Sequence, residues 1–533
     1  MADVLLVYPK AGHDVRGVTV VAPLAFLTIA ATLLPDFSVE ILDQRTSDNF
    51  WSDLERALET RPLLVGITSM TGTQIYHGLE ISKFVKRHTS VPLVWGGMHP
   101  TIFPAQTVAK PYIDFVIKGE GEEAIRALVQ VIAQKSNNFE KVPALIWKKN
   151  DQIYSTPEAV PLELDALPKL PWHLVDVEEY ISPASYLYPG VTRLLPFQGS
   201  RGCPFKCTFC SEPVLTRKYR VMNPTKMIDE CMEMVDKYNL DHITFFDEEF
   251  FINPKWATKV AEGINGRFSW WAQTRANDLL RVDVKKLERC GMIIVAPGLE
   301  SGSNRVLEFI RKKETVEEYR KANRRLAETK IFAQYGFIVG FPSETPDELN
   351  ETVDLVLELL ETNENAVVNQ LSPLTPLPGT QLLTQAVESF GFKQPERLED
   401  WIQITRGKQE RSWLDRKALR TIRFLYYTSL FVCSAERYGQ KYMIPKFVFR
   451  LYSKTVRFRW KRKLFWLDWE IPLMRLIFRL FINPIDYKLS RNYGDLFTAK
   501  ESDIRMINAG IEKNAGLQTT ESKGVNLGTR SAA

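Results

Sequence analysis

Apolar and polar positions alternate in blocks along the first 135 residues. Val4–Tyr8, Val39–Leu42, Leu64–Ser69, Leu93–Gly97 and Phe115–Lys118 are short, nearly continuous apolar runs, and stretches of helical length separate them. Such runs suit strands buried on both faces, so the pattern predicts a parallel five-stranded sheet, doubly wound and flavodoxin-like, over residues 1–140. Open sheets of this class bind ligands beyond the carboxyl ends of their strands. The alternation sets Asp43, the Ser69–Thr73 turn with Thr71, the pair Gly96–Gly97 and the sequence GEGE at Gly119–Glu122 at those ends.

Between about Asn150 and Pro196 the pattern gives way to Pro157, Pro161, Pro168, Pro171, Pro183 and Pro189, which suit an ordered strap better than a core. Residues 141–190 are read as this linker. A second series of runs follows at Leu194–Gly199, Ile243–Phe246, Ser269–Gln273, Met292–Pro297, Phe332–Val339 and Val367–Ser372. Six βα units predict a partial (βα)6 barrel over residues 191–400, with its chemistry at the carboxyl ends of the strands. Residues 401–499 read as a mainly helical region and 500–533 as a disordered tail. The expected fold class is α/β with a helical carboxyl-terminal region.

Composition narrows the class. A chain of 533 residues exceeds one ordinary core, and 45% hydrophobic with 25% charged residues excludes disorder as its general state. The net charge of +5 hides an uneven distribution: between Arg437 and Arg491, 14 Lys or Arg face three acids among 13 aromatic residues. The start, MADVLLVYPK, lacks the basic lead of an export signal, and the longest uncharged stretch, Val18–Leu34, is interrupted by Pro23. A cytoplasmic protein without a spanning segment is expected.

Six cysteines are too sparse for a disulfide scaffold, and three of them, Cys203, Cys207 and Cys210, are spaced CxxxCxxC at the end of the first strand of the second series. Three thiolates so close in sequence wrap three corners of a 4Fe-4S cube and leave one iron without a protein ligand. A structural zinc site needs four ligands. The nearest candidates, Cys231 and His242, lie 21 and 32 residues farther on without finger-like spacing.

With Phe209 before its last cysteine, this loop resembles the signature of the radical S-adenosylmethionine (SAM) enzymes. The resemblance extends to FFDEEF at Phe245–Phe250, GLESGS at Gly298–Ser303, GFIVGFPSET at Gly336–Thr345 and SPLTPLPGT at Ser372–Thr380. It implies that the open iron chelates SAM and that an electron donor such as flavodoxin or ferredoxin triggers release of a 5′-deoxyadenosyl radical. Glu300 then stands where a carboxylate would hold a ribose hydroxyl or the methionyl ammonium, and Arg275 where a guanidinium would pair with the methionyl carboxylate. Gly340 and Pro342 make a tight strand exit that lets backbone approach adenine. Read alone, Glu300 also suits a solvated acid, and Arg275 a structural ion pair.

The amino-terminal series resembles the cobalamin-binding domain that precedes the barrel in one branch of this family, through VLLVYP, LDQR at Leu42–Arg45, the SMTGT turn, GGMHPT at Gly96–Thr101 and GEGE. The implied cobalamin contacts are Asp43, Ser69, Thr71, Gly96, Gly97, His99, Gly119 and Glu120. The chain has no GxGxxG or GxxxxGK[ST] phosphate loop. It also lacks the DxHxxG motif that supplies a histidine to cobalt. Its histidines are His13, His77, His88, His99, His173 and His242, and His99 reads as a loop residue, so base-off cobalamin without a protein histidine is expected.

The resemblance implies transfer of a methyl group from SAM, by way of methylcobalamin, to an unactivated carbon of a small hydrophobic substrate. A second outcome within the family is oxidative ring closure or rearrangement of a tetrapyrrole or lipid, as in the anaerobic magnesium-porphyrin cyclases. Outside enzymes, the reading is a non-catalytic iron-sulfur and cobalamin sensor. The basic, aromatic segment Lys446–Phe481 suits a helix lying on an anionic membrane surface, and equally a helical cap over the barrel. No nucleic-acid partner is expected.

Overall fold

The computed structural model describes residues 2–12, 14, 16–17, 19–182, 190–216, 218–404, 411–433, 446–466, 468 and 471. His13, Pro183, Pro189, most of the segment after 466 and the expected tail at 500–533 lie outside the described residues.

Seven strands build the first sheet: β1 (Val4–Tyr8), β2 (Val39–Asp43), β3 (Leu64–Thr68), β4 (Leu93–Gly96), β5 (Phe115–Ile117), β6 (Leu145–Lys149) and β7 (Gln152–Ser155). Their order is β2-β1-β3-β4-β5-β6-β7, with the first five parallel and the last two antiparallel. The apolar run of β1 follows from burial on both sides. Val4 and Leu6 pack with Phe26, Ala30 and Leu33 on one face, while Leu5 and Val7 pack with Leu54, Ile75 and Leu79 on the other. The sheet is two strands wider than the pattern predicts and runs to Ser155. The apolar signature is missing there because β6 ends in two exposed lysines and β7 is exposed along its whole length.

The second sheet contains β8 (Leu194–Phe197), β11 (His242–Phe245), β12 (Ser269–Thr274), β13 (Met292–Glu300), β14 (Phe332–Val339) and β15 (Ala366–Val368), parallel and in chain order, with β16 (Ser372–Pro373) continuing beside β14. This is the expected six-unit partial barrel. In β14, Ala333, Tyr335, Phe337 and Val339 are buried, while the alternate positions, including Gln334, Gly336 and Ile338, stay half-buried, as the face of an open barrel interior should. A short antiparallel ribbon of β9 (Ser200–Arg201) and β10 (Arg220–Val221) brackets residues 202–219 and clamps both ends of the cysteine loop.

The proline-rich strap is pinned to both units. Trp172, Val177 and Tyr180 join the barrel core, and the Tyr180 hydroxyl donates to Asp43 of the first sheet at 2.9 Å. After the barrel the chain crosses back: Leu383, Ala386, Leu398 and Trp401 pack into a core shared with the amino-terminal sheet. Helix Lys446–Lys461 lies against helix Arg416–Val432 with Phe449, Val456 and Trp460 buried, and Trp460 Nε1 donates to Thr428 Oγ1 at 3.0 Å. Its inward face is therefore a cap on the barrel side. No described helix is long and apolar enough to cross a membrane.

Candidate functional site

The cysteine loop leaves the barrel at Gly202, whose φ of 87° suits glycine; a Cβ there would sit 2.6 Å from the Lys218 carbonyl oxygen. Two neighbouring segments hold the loop. The Thr208 N–H donates to Ile310 O at 2.9 Å, and Thr208 O accepts from the Leu382 N–H at 2.8 Å. Cys203, Cys207 and Cys210 carry free, half-buried thiols. Burial pushes Cys203 up to about 12 and Cys210 up to about 11, so these groups become thiolates only against a bound cation.

Cys231 is buried on helix Pro224–Tyr238, and His242 opens β11 at the end opposite the loop, so neither completes a four-ligand zinc site with these thiols. Among the described residues no three His, Cys, Asp or Glu side chains converge on a single ion. A cube binds each cysteine through a different iron, a donor arrangement that three separate thiols on one loop fit.

Arg275 follows β12, is 4% exposed and lies over the Phe205 ring at 3.8 Å. Its Nη1 is 3.8 Å from Cys207 Sγ, its Nη2 donates to Lys312 O, and Glu314 pairs with it at 3.5 Å. Glu300, at φ 66°, accepts from Lys312 Nζ at 3.1 Å. Glu300 is thus part of a buried ion network and not a solvated acid, and Arg275 joins the cysteine loop to that network. Gly340, at φ 82°, turns the chain after β14; its N–H donates to Glu344 and its carbonyl accepts from Trp413 Nε1 at 3.0 Å. Pro342 follows in the same turn.

The FFDEEF segment contributes three acids. Burial raises Asp247 and Glu248 to about 7 and Glu249 to about 8. Asp247 accepts from the Gly199 N–H and Glu248 from the Gly202 N–H, both at 3.2 Å, while Glu249 accepts from Thr274 Oγ1 at 2.8 Å.

A cavity of about 260 Å³ runs from these strand ends into the first sheet. Gly96, Gly97, Gly119, Glu120 and Glu122 line it from one side, Gln198, Arg201 and Glu248 from the other, and Phe26, Gly66 and Val94 form part of its depth. A Cβ on Gly96 or Gly119 would meet nothing within 4 Å, so both glycines leave open room for a ligand.

The other expected cobalamin contacts do not line this cavity. Asp43 is bound to Arg45 and Tyr180, and Ser69 is buried with its hydroxyl on Met70 O. Thr71 Oγ1 is 2.9 Å from His99 Nδ1, and the buried His99 ring lies between Phe103 and Trp401, where burial lowers it to about 3. Gln198, Arg201 and Glu248 escaped the sequence reading as single residues. Two follow the ends of β8 and β11, and Arg201 lies on the ribbon, so strand-end position was the available signal.

The B12 binding domain family matches residues 17–129, and the radical SAM superfamily matches residues 197–356. The chain belongs to the radical SAM superfamily. This radical SAM enzyme carries a B12-binding domain ahead of its barrel, and its cofactors are a 4Fe-4S cluster, SAM and cobalamin. It is 29% identical to an uncharacterized methyltransferase of Pyrococcus horikoshii over 72% of this chain and 83% of that protein. It is 31% identical to the anaerobic magnesium-protoporphyrin IX monomethyl ester cyclase of Cereibacter sphaeroides over 64% of this chain, spanning 56% of the cyclase. The fold is similar to that of the cobalamin-dependent SAM radical enzyme OxsB, with a TM-score of 0.68 and 18% identity over 98% of this chain and 82% of OxsB.

Proposed function

We propose that this radical SAM enzyme transfers a methyl group to an unactivated carbon of a small hydrophobic substrate. One observation supports the reading: Glu248 lines the cavity shared with Gly96, Gly97 and Gly119, and the same residue accepts a hydrogen bond from Gly202, next to Cys203. The proposed cobalamin site and cluster loop thus share a wall. Cys203, Cys207 and Cys210 would hold the cluster, the barrel strand ends SAM, and the Gly96–Gly97 and Gly119–Glu122 loops the cobalamin. When bound, these groups supply a radical able to take hydrogen from carbon and a cobalt that carries methyl. The chain's own residues position and enclose. The Thr208 hydrogen bonds fix the loop, Arg275 sets a positive charge beside Cys207, and the Gly340 turn ends β14 with its N–H on Glu344 and its carbonyl on Trp413.

Partly exposed apolar side chains follow strand ends of both sheets: Met70 at 40%, Met98 at 39% and Phe246 at 40%. They support a hydrophobic substrate. Helix Lys446–Lys461 turns Leu451 and Phe458 outward beside Lys454, Lys461 and Arg462, which supports peripheral contact with an anionic membrane on the cytoplasmic side. The reduced enzyme, given SAM with a deuterated methyl group, is expected to yield product carrying the label. Unlabelled product would replace methyl transfer with ring closure, the second reading, which the cyclase relative favours.

A further inference from the structure

The barrel sheet carries a row of polar side chains on its inward face, away from both the cysteine loop and the cavity. Trp270 of β12 donates to Cys290 O behind helix Val284–Arg289, and Tyr335 of β14 donates to Asn323 on helix Val316–Ala327. Those positions face the helices, so the alternation along each strand turns Trp271, Gln273 and Gln334 inward. Asn369 follows the outer strand β15, with its N–H on Tyr335 O at 3.0 Å. Trp271 Nε1 donates to Gln334 Oε1 at 3.4 Å across β13, and Gln334 Nε2 donates to Asn369 Oδ1 at 2.9 Å.

The direction of this row is fixed by its first member. An indole N–H can only donate, so Gln334 must turn its oxygen to Trp271 and its NH2 to Asn369, and Asn369 must then turn its oxygen to Gln334. Each amide oxygen is taken up by a neighbour, and what remains on offer is N–H. Among the described residues the Asn369 NH2 has no partner, and Asn369 and Gln273 are both exposed. The inward positions between the row and the strand ends are Ala296 and Gly298 on β13 and Gly336 and Ile338 on β14, none of them a Lys or Arg. A Cβ on Gly336 would meet only Gly298 Cα, at 3.9 Å, so this stretch is apolar and roomy. Trp271 precedes Arg275, the neighbour of Cys207, by about 13 Å of strand.

We propose that Gln334 and Asn369, oriented by Trp271, bind a neutral carbonyl oxygen, that of a ketone, ester or amide, at the end of the substrate remote from the carbon that reacts. This assignment rests on the methyl-transfer reading and narrows its hydrophobic substrate to an apolar body that spans the stretch from Asn369 toward the cysteine loop and ends in an acceptor. A row that presents only N–H groups repels an ammonium head, whose own N–H groups would face them. A carboxylate would leave water there with no cation to replace its hydration.

The test titrates three probes of one chain length, 2-decanone, decanoate and decylammonium, into the reconstituted full chain by calorimetry at neutral pH. The wild type is expected to bind the ketone about fivefold or more tightly than the ammonium, the gain of one or two hydrogen bonds, and the carboxylate no more tightly than the ketone. N369D exchanges the terminal donors for acceptors at an exposed position and should reverse the order of ketone and ammonium, which a purely structural role for Asn369 would not do. W271F removes the indole donor, frees the Gln334 amide to turn over and should narrow the preference to within about twofold. Circular dichroism confirms that both variants are folded. Equal affinity for ketone and ammonium in the wild type, tighter binding of the carboxylate, no binding of the ketone, or an unchanged order in N369D would overturn the assignment. Formation of 5′-deoxyadenosine from SAM and reductant is followed in the same wild-type preparation; its absence would count against the radical SAM reading separately from the order of probe binding.

Discussion

Replacing Glu120 with Gln tests whether charge holds the amino-terminal domain to the barrel. Glu120, on the loop after β5, meets Arg201 at 2.9 Å and also Arg220, one from each strand of the ribbon that clamps the cysteine loop. The side chains are 17%, 14% and 2% exposed, and Glu122 gives Arg201 a second carboxylate at 2.7 Å. E120Q keeps the shape and one oxygen but leaves Arg220 without its counter-charge. Breaking a buried pair by removing one partner costs roughly 3–5 kcal/mol. The remaining exposure of Glu120 and the charge of Glu122 place this case nearer about 2–3 kcal/mol by the same rule. The assay is urea unfolding of the full chain followed by tryptophan fluorescence and circular dichroism, for E120Q, R220Q and the double variant. A coupling of about 1–3 kcal/mol is expected for groups in direct contact. Because Glu120 also lines the cavity, E120Q should release cobalamin more readily on gel filtration. Unfolding of E120Q within about 0.5 kcal/mol of wild type, or strict additivity in the double variant, would refute the reasoning.

Gly202→Ala forces a side chain into left-handed backbone and against the Lys218 carbonyl, so reconstituted protein should bind far less iron than wild type while its far-ultraviolet spectrum is retained. Glu344, which burial raises to about 7, carries a proton in the folded state that the unfolded chain loses above about pH 4.5. Stability should therefore fall as pH rises from about 4.5 through 7, by at most about 3 kcal/mol from this group, and E344Q should flatten that slope in melts at pH 5 and pH 8. His99→Gln should leave the paramagnetic spectrum of bound cob(II)alamin unchanged, because His99 lies outside the cavity lining; a changed axial nitrogen pattern would make it a ligand.

The strands that bury both faces were legible, since a run such as VLLVY has few other uses, and all five of the first series and all six of the second appear where the apolar blocks stand. β6 and β7 were not, because an exposed antiparallel edge carries no apolar period. The cysteine loop was legible from spacing alone. Glu120 was read as a cofactor contact from its place in GEGE, and it does line the cavity. Its two arginine partners, 81 and 100 residues away, leave no mark on the local pattern.

Local order in the chain thus specifies the two βα series and the three thiols, since periodicity and spacing act over a few residues. Which groups meet across the domains depends on long-range packing. The return of Trp401 to the first sheet, the placement of the His99 ring between Phe103 and Trp401 and the shared wall at Glu248 arise only when distant segments compete for the same buried volume. That competition is resolved by the shape and charge of the whole chain, which no short window of residues contains.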